Sequence, residues 1–281
     1  MTAPAQSRLR SGLNVAEWPG DGPPILALHG NTSTHQSWSR LAAGFPGRRI
    51  VAPDLRGRGG SMDIGGPYGL AQHARDAVSL MDELDLRDVL LVGHSLGAFI
   101  APLVATDAAG RVTRMVLLDG GPPVKLPFFF VKRVVRMAFQ RQAREVAEPF
   151  ESVDALLNGQ WGAMLRDHPE ELAEIRTWLD ASVVGPEGEK RLPVDPAAIP
   201  VDGLSTFFDS DVREAATHLG APAHLLYATW GAKDGARPFY TPARAAELER
   251  RVAGLTTTHV EGSNHLTLLF RPEVAQAVAG S

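Results

Sequence analysis

The sequence predicts an α/β protein with a mostly parallel sheet, flanked by helices and interrupted by a helical insertion. Three observations carry this reading. Short apolar runs alternate with helical patterns up to about residue 120; the rhythm stops over 122–219, where repeated prolines break up amphipathic segments without a strand pattern; and it resumes over 220–281. The runs at 24–28, 49–52, 89–92 and 112–118 are mostly apolar, with polar residues only at Arg49, Thr113 and Arg114 toward their starts, as suits strands buried on both faces of a parallel sheet. Between them, 70–84 sets Leu70, Ala71, Ala74, Ala77, Val78 and Met81 at helical spacing, the mark of a covering helix. The segment 96–108 is apolar nearly all round and predicts a deeply buried helix.

Within the insertion, one helix is expected through Val131, Val134, Val135, Ala138 and Phe139, and another over 170–179 with His168 and Pro169 at its start. Strands at 223–229 and 256–261 and helices at 242–252 and 272–278 complete the chain. The expected organisation is one core, 1–121 and 220–281, split around an insertion of 122–219. With 281 residues, 44% of them hydrophobic, the chain is long enough to bury one large core.

Composition excludes several functions. Lys and Arg total 28 against 32 acidic residues, a net charge of -4, which gives no general attraction to nucleic acid or anionic lipid. The absence of cysteine rules out a disulfide framework, a thiolate nucleophile and cysteine-ligated zinc or iron-sulfur centres. Residues 1–10 lack the apolar stretch of a secretory signal, and no apolar run approaches the length of about 20 residues needed to span a bilayer. A cytoplasmic protein without stable membrane insertion, a monomer or homodimer, is therefore expected. His29 and His35 are spaced too loosely to share a helix face, no H-E-x-x-H occurs, and Gly57-Arg58-Gly59-Gly60 is not followed by Gly-Lys-Ser/Thr. No metal, cofactor or nucleotide is expected.

The chemistry-bearing signal is Gly93-His94-Ser95-Leu96-Gly97, set between the apolar run 89–92 and the helical pattern that follows. In that strand-turn-helix context, G-x-S-x-G reads as a nucleophile elbow: the sharp turn exposes the Ser95 hydroxyl, and the glycines let neighbouring backbone pass close. The Leu96 amide then opens a helix, where free donors and the helix dipole favour a developing oxyanion. A second donor is expected in His29-Gly30-Asn31-Thr32-Ser33, after the run 24–28, and Asn31 N–H is the choice because Gly30 lets the loop turn sharply. A serine hydroxyl needs a base, and the base needs a third group to fix its tautomer. Of nine histidines, His265 alone sits in a loop, after Gly262-Ser263-Asn264, just past the last expected strand. For the acid, Asp234 in Gly231-Ala232-Lys233-Asp234 follows the strand 223–229 and gives the chain order serine, acid, histidine. His94 is expected to point away from the site.

Together with Asp54-Leu55-Arg56-Gly57-Arg58-Gly59-Gly60-Ser61, these segments resemble the α/β-hydrolase superfamily over nearly the whole chain, closest to its cap-bearing members. The resemblance implies an eight-stranded, mostly parallel sheet with a helical cap. It implies Ser95 as nucleophile, His265 as base, Asp234 as acid, Asn31 and Leu96 as oxyanion donors, and a bracing role for 54–57. Serine at the elbow argues against epoxide hydrolases and haloalkane dehalogenases, which attack with aspartate, and Leu266 stands where carbon-carbon hydrolases often carry tryptophan. Some lactone-cleaving relatives take their acid from the strand before the cap, and Asp119 stands there as the rival acid. The function expected is esterase-type hydrolysis of a small-molecule acyl substrate. Lactone or carbon-carbon hydrolysis, or a binding protein of this fold with little turnover, are the alternatives. Phe128, Phe129 and Phe130, with Leu126, Met137 and Phe139, are expected to line an apolar substrate pocket, with packing between insertion helices as the other use of such residues.

Overall fold

The computed structural model describes residues 4–124, 132–159 and 161–280. Eight strands form one sheet: β1 (Ala5–Arg8), β2 (Asn14–Trp18), β3 (Gly20–Leu28), β4 (Gly47–Pro53), β5 (Val89–His94), β6 (Val112–Leu118), β7 (Ala223–Ala228) and β8 (Leu255–Val260). Their order across the sheet is β1-β2-β4-β3-β5-β6-β7-β8. Only the β1–β2 and β2–β4 pairings are antiparallel. The helices of the core are α1 (Ser39–Gly44), α2 (Leu70–Glu83), α3 (Leu96–Asp107) and, after the insertion, α10 (Pro242–Arg251) and α11 (Pro272–Ala279). Between β6 and β7 lie α4 (Lys132–Ala147), α5 (Val153–Asn158), α6 (Gly162–Leu165), α7 (Pro169–Ser182), α8 (Ala198–Phe208) and α9 (Ser210–Thr217).

The side-chain period of two sorts each central strand between two hydrophobic layers. Leu26, Leu28, Leu91, Met115 and Leu117 face one layer with α2, α3 and α10, while Ile25, Ala27, Leu90, Val92, Val116 and Leu118 face the other with α11 and the insertion's α7. Burial on both faces explains why these strands read as unbroken apolar runs. The exposed β1, and β2, whose buried Val15, Ala16 and Trp18 are interrupted by Glu17, carry no such run, which is why they are not anticipated from the sequence.

The insertion helices also follow their sequence patterns. Pro169 takes the first helical position of α7, where its missing N–H is not needed, and Glu170 and Glu171 complement the helix dipole in the first turn. Phe139 of α4 packs over Gly203 of α8, and its ring lies 6.2 Å from that of Phe207.

All parallel strands run the same way, so the loops leaving β3, β5, β6, β7 and β8 gather at one edge of the sheet, where α/β folds place their sites. There α3 crosses the end of β3 so closely that a Cβ on Gly97 would lie 2.0 Å from the Leu28 carbonyl oxygen. Gly97→Ala is therefore expected to destabilise the protein by at least about 2 kcal/mol through overpacking. Gly44→Ala, whose Cβ would meet nothing within 4 Å, should stay within about 0.5 kcal/mol of the parent. Urea midpoints of the two variants check the contrast.

Candidate active site

Ser95 sits at the turn between β5 and α3 with φ +52° and ψ -115°, a backbone region that a non-glycine residue adopts only when its surroundings enforce it. The enforcement is visible on both sides. Ser95 N–H donates to the Leu118 carbonyl at 2.9 Å, and a Cβ on Gly93 would come within 2.5 Å of the Gly97 backbone. The hydroxyl is thereby held at the C-terminal edge of the sheet, half-buried, and its Oγ lies 2.9 Å from Nε2 of His265.

His265 reaches Ser95 from the loop after β8. Its Nδ1 donates to Asp119 Oδ2 at 2.6 Å, and Asp119 is 1% exposed. This corrects the sequence reading of Asp234 as the acid. Asp119 directly follows β6, next to β5 in the sheet, and its own positive φ turns the carboxylate under the imidazole. Asp234 lies six residues beyond Ala228, on a loop that carries it toward α7. There its carboxylate accepts from His168 Nε2 at 2.9 Å and from Asn264 Nδ2 at 2.8 Å. The 231–234 loop still serves His265, but by backbone: His265 N–H donates to the Gly231 carbonyl at 2.9 Å. The ring of Phe239 completes the seat, edge-on to the imidazole with centroids 4.9 Å apart.

His94 also differs from expectation. It packs against the site, with its ring 5.0 Å from that of His265 and its Nε2 donating to the His265 carbonyl at 2.9 Å. The signal was present in the motif itself, since a residue beside an elbow serine is carried to the same edge. Burial drives the His94 pKa down to about 3, with His265 adding to the effect, so His94 is neutral at physiological pH.

The loop after β3 is pinned from below. Leu55 N–H donates to His29 Nε2 at 2.9 Å while His29 Nδ1 donates to the Gly30 carbonyl at 2.8 Å. Both contacts require the neutral ring, and burial holds its pKa at about 4. Asp54 accepts from the His35 amide at 2.8 Å, His35 Nδ1 at 2.9 Å, Asn14 at 2.8 Å and the Gly60 amide at 2.9 Å, which gives the 54–57 stretch its bracing geometry. Burial opposes ionisation of Asp54, but the bonds and charge from His35 outweigh it and leave the pKa lowered. Arg56 grips Asp76 of α2 by two bonds of 2.9 and 2.8 Å. Asn31 lies beside Ser95 on the cavity wall, and Leu96 is the first residue of α3, where its amide has no intrahelical acceptor.

Above Ser95 opens a cavity of about 620 Å³, walled by Val146, Leu156, Trp161, Met164, Trp178 and Leu269 among others. Phe128, Phe129, Phe130 and Leu126 lie outside the described residues. Of the other residues expected to form this wall, Phe139 is committed to packing between α4 and α8, and Met137 is exposed. Among the described residues the apolar wall comes from the segments from α4 to α7 and from Leu269. Among the described residues no group of three or more His, Cys, Asp or Glu is placed to hold a metal ion, and no helix is long and apolar enough to cross a membrane.

The two neutral buried histidines make stability depend on pH. In the unfolded chain each protonates near 6.5, in the folded chain only near 4 for His29 and 3 for His94, so the unfolded state binds more protons between those values. Stability is fully present above pH 6.5 and falls as the pH is lowered toward 4, by on the order of 3 kcal/mol for His29. Urea midpoints across that range should decline, and His29→Asn should flatten the decline; an equally steep decline in the variant would refute the assignment.

Comparison with known proteins agrees with this architecture. The crystal structure of an E-2-(acetamidomethylene)succinate hydrolase superposes with a TM-score of 0.79 at 24% identity, covering 98% of this chain and 97% of that one. An enol-lactonase from Burkholderia xenovorans superposes at 0.69 with 20% identity, covering 98% of each chain. In sequence, a non-heme haloperoxidase of Rhodococcus erythropolis is 38% identical over 111 residues, 38% of this chain and 40% of the relative. The chain thus spans about two fifths of the length of the curated relatives it matches. The sequence pattern of the alpha/beta hydrolase fold matches residues 23–272, and the chain belongs to that family.

Proposed function

We propose that the protein is a serine hydrolase that cleaves carboxylic esters of small to medium apolar acyl groups through an acyl-enzyme. The observation that carries this is the hydrogen-bonded relay from Ser95 Oγ to His265 Nε2 at 2.9 Å and from His265 Nδ1 to Asp119 at 2.6 Å. With Nδ1–H fixed on Asp119, Nε2 presents its lone pair to the hydroxyl, the tautomer a general base requires. His265 takes the Ser95 proton as Oγ bonds to the carbonyl carbon, and the negative charge collects on the carbonyl oxygen. The amides of Asn31 and Leu96 receive that charge. The alcohol departs with the proton from His265, and water, deprotonated by His265, releases the acid and restores Ser95. The helices between β6 and β7 act as a cap that walls the acyl pocket. A second reading, hydrolysis of a cyclic ester by the same steps, draws on Asp119 occupying the place from which some lactone-cleaving relatives take their acid. The ratio of turnover on a lactone to that on its open-chain ester separates the two.

The relay sets the order of losses. Ser95→Ala should remove turnover of p-nitrophenyl butyrate by several powers of ten with folding intact. Asp119→Asn should cost about 10⁴-fold by leaving the wrong tautomer, whereas Asp234→Asn, which touches only the groups behind the histidine loop, should cost about tenfold or less. Steady-state kcat values for the three variants decide this, and Asp234→Asn proving as damaging as Asp119→Asn would move the acid back to the loop after β7.

The wall also predicts charge preference. Among the described residues its charged side chains are Glu145, Glu148 and Glu151, with no lysine or arginine to meet an anionic acyl group. The p-nitrophenyl ester of butyrate should therefore exceed that of hemisuccinate in kcat/KM by about tenfold or more, a gap that narrows with added salt.

A further inference from the structure

Arg58 is fully buried, and so is Asp202, the carboxylate of α8 that lies 2.6 Å from it. Two charges are taken out of water at the junction of the insertion and the core, a desolvation cost that is offset only where further hydrogen bonds satisfy the remaining donors and acceptors. The guanidinium donates from Nε to the Asn31 carbonyl at 3.1 Å, from Nη2 to the Asn31 side-chain oxygen at 2.5 Å and from Nη1 to the Arg56 carbonyl at 2.9 Å. Two donors of one rigid fork thus hold both oxygens of Asn31. Asp202 is itself fixed by the Gly69 amide at 2.6 Å and His73 Nε2 at 3.0 Å. Burial opposes its ionisation, but His73 and Arg58 outweigh it and keep the carboxyl below its usual range. The insertion reaches the same loop by backbone, with Gly59 N–H donating to the Pro193 carbonyl at 2.8 Å and Asp195 N–H to the Gly57 carbonyl at 2.7 Å.

We infer that Arg58 is a positioning residue that fixes the Asn31 peptide for the oxyanion and ties that geometry, through Asp202, to the seating of the insertion on the core. The inference rests on the proposed reading in which the Asn31 amide receives the oxyanion. A guanidinium that grips the carbonyl and side chain of Asn31 leaves that residue little freedom to rotate about its backbone, and a rotation would turn its amide away from the substrate. The grip bears on the transition state, where charge develops, more than on substrate binding.

The test uses the full-length protein and Arg58→Lys, which keeps a cation for Asp202 but loses the fork. Should that variant fail to fold, Arg58→Met combined with Asp202→Asn removes both charges and retains an acceptor for Gly69. With active sites titrated, kcat on p-nitrophenyl acetate is expected to fall about ten- to a hundredfold while KM changes by less than about threefold. Affinity for an aryl trifluoromethyl ketone, which adds to Ser95 and places an oxyanion in the hole, should fall by the same factor. Affinity for the corresponding alkene, which has no oxygen there, should not. If kcat per titrated site and the ketone-to-alkene ratio equal those of the parent, Arg58 is structural only and the inference is overturned. If the parent protein itself neither turns over the ester nor prefers the ketone, the proposed function falls and takes the inference with it.

Discussion

The turn at Ser95 is the constraint on which the rest of the site depends. Its positive φ cannot be held by local preference, so the surrounding backbone holds it: β5 below, α3 above and the end of β3 pressed against Gly97. The same contacts place the other participants. The bond from Ser95 N–H to Leu118 fixes the end of β6 and with it Asp119, one residue on. The approach of Gly97 to Leu28 fixes the end of β3 and with it the loop that carries Asn31. Three strand ends are thus registered by one turn, and the hydroxyl, the carboxylate and the Asn31 loop are set relative to one another before any side chain chooses a rotamer.

Two buried polar clusters flank this arrangement, and both join the insertion to the core. On the side of the β3 loop stand Arg58, Asp202 and His73; on the side of the β8 loop stand His168, Asp234 and Asn264, with Asn264 also donating to the Met164 carbonyl at 2.7 Å. Each of these side chains finds at least one partner, although Nδ1 of His73 has none, and such networks specify one docking geometry where apolar packing alone would accept several. His29 and His94 contribute the opposite way, by remaining neutral and acting as spacers with one donor and one acceptor.

The parts of this protein that were legible in its sequence are those set by short-range rules. The elbow is five consecutive residues whose glycines and serine announce the turn, and the central strands announce themselves because burial on both faces keeps their inner stretches, such as 89–92 and 115–118, apolar. His265 was found because it alone of the histidines stands in a loop past the last strand. What was not legible depends on distance in the chain. Asp119 and Asp234 both follow strands that lie between β5 and β8, and only the three-dimensional lengths of their loops decide which carboxylate lies under His265. The walls contributed by Val146, Leu156, Trp161, Met164 and Trp178 carry no local motif, because single apolar residues spread over several helices converge only in three dimensions. The edge strand β1 is exposed throughout, and β2, although Val15, Ala16 and Trp18 are buried, is too short and too interrupted by Asn14 and Glu17 to show as a run.

The placement of Asp119 directly at the end of β6 bears on how much change the loop after β7 tolerates. Where an acid rides on a long loop, every insertion or deletion in that loop disturbs it. Here the stretch between β7 and α10 meets His265 through the Gly231 carbonyl and the ring of Phe239, and Asp234 spends its carboxylate on anchoring. The segment between those contacts is released from the obligation to present an acid at a fixed point. Changes in length or sequence on either side of Asp234 leave the geometry of Ser95, His265 and Asp119 in place as long as the bonds of Asp234 to His168 and Asn264 are kept.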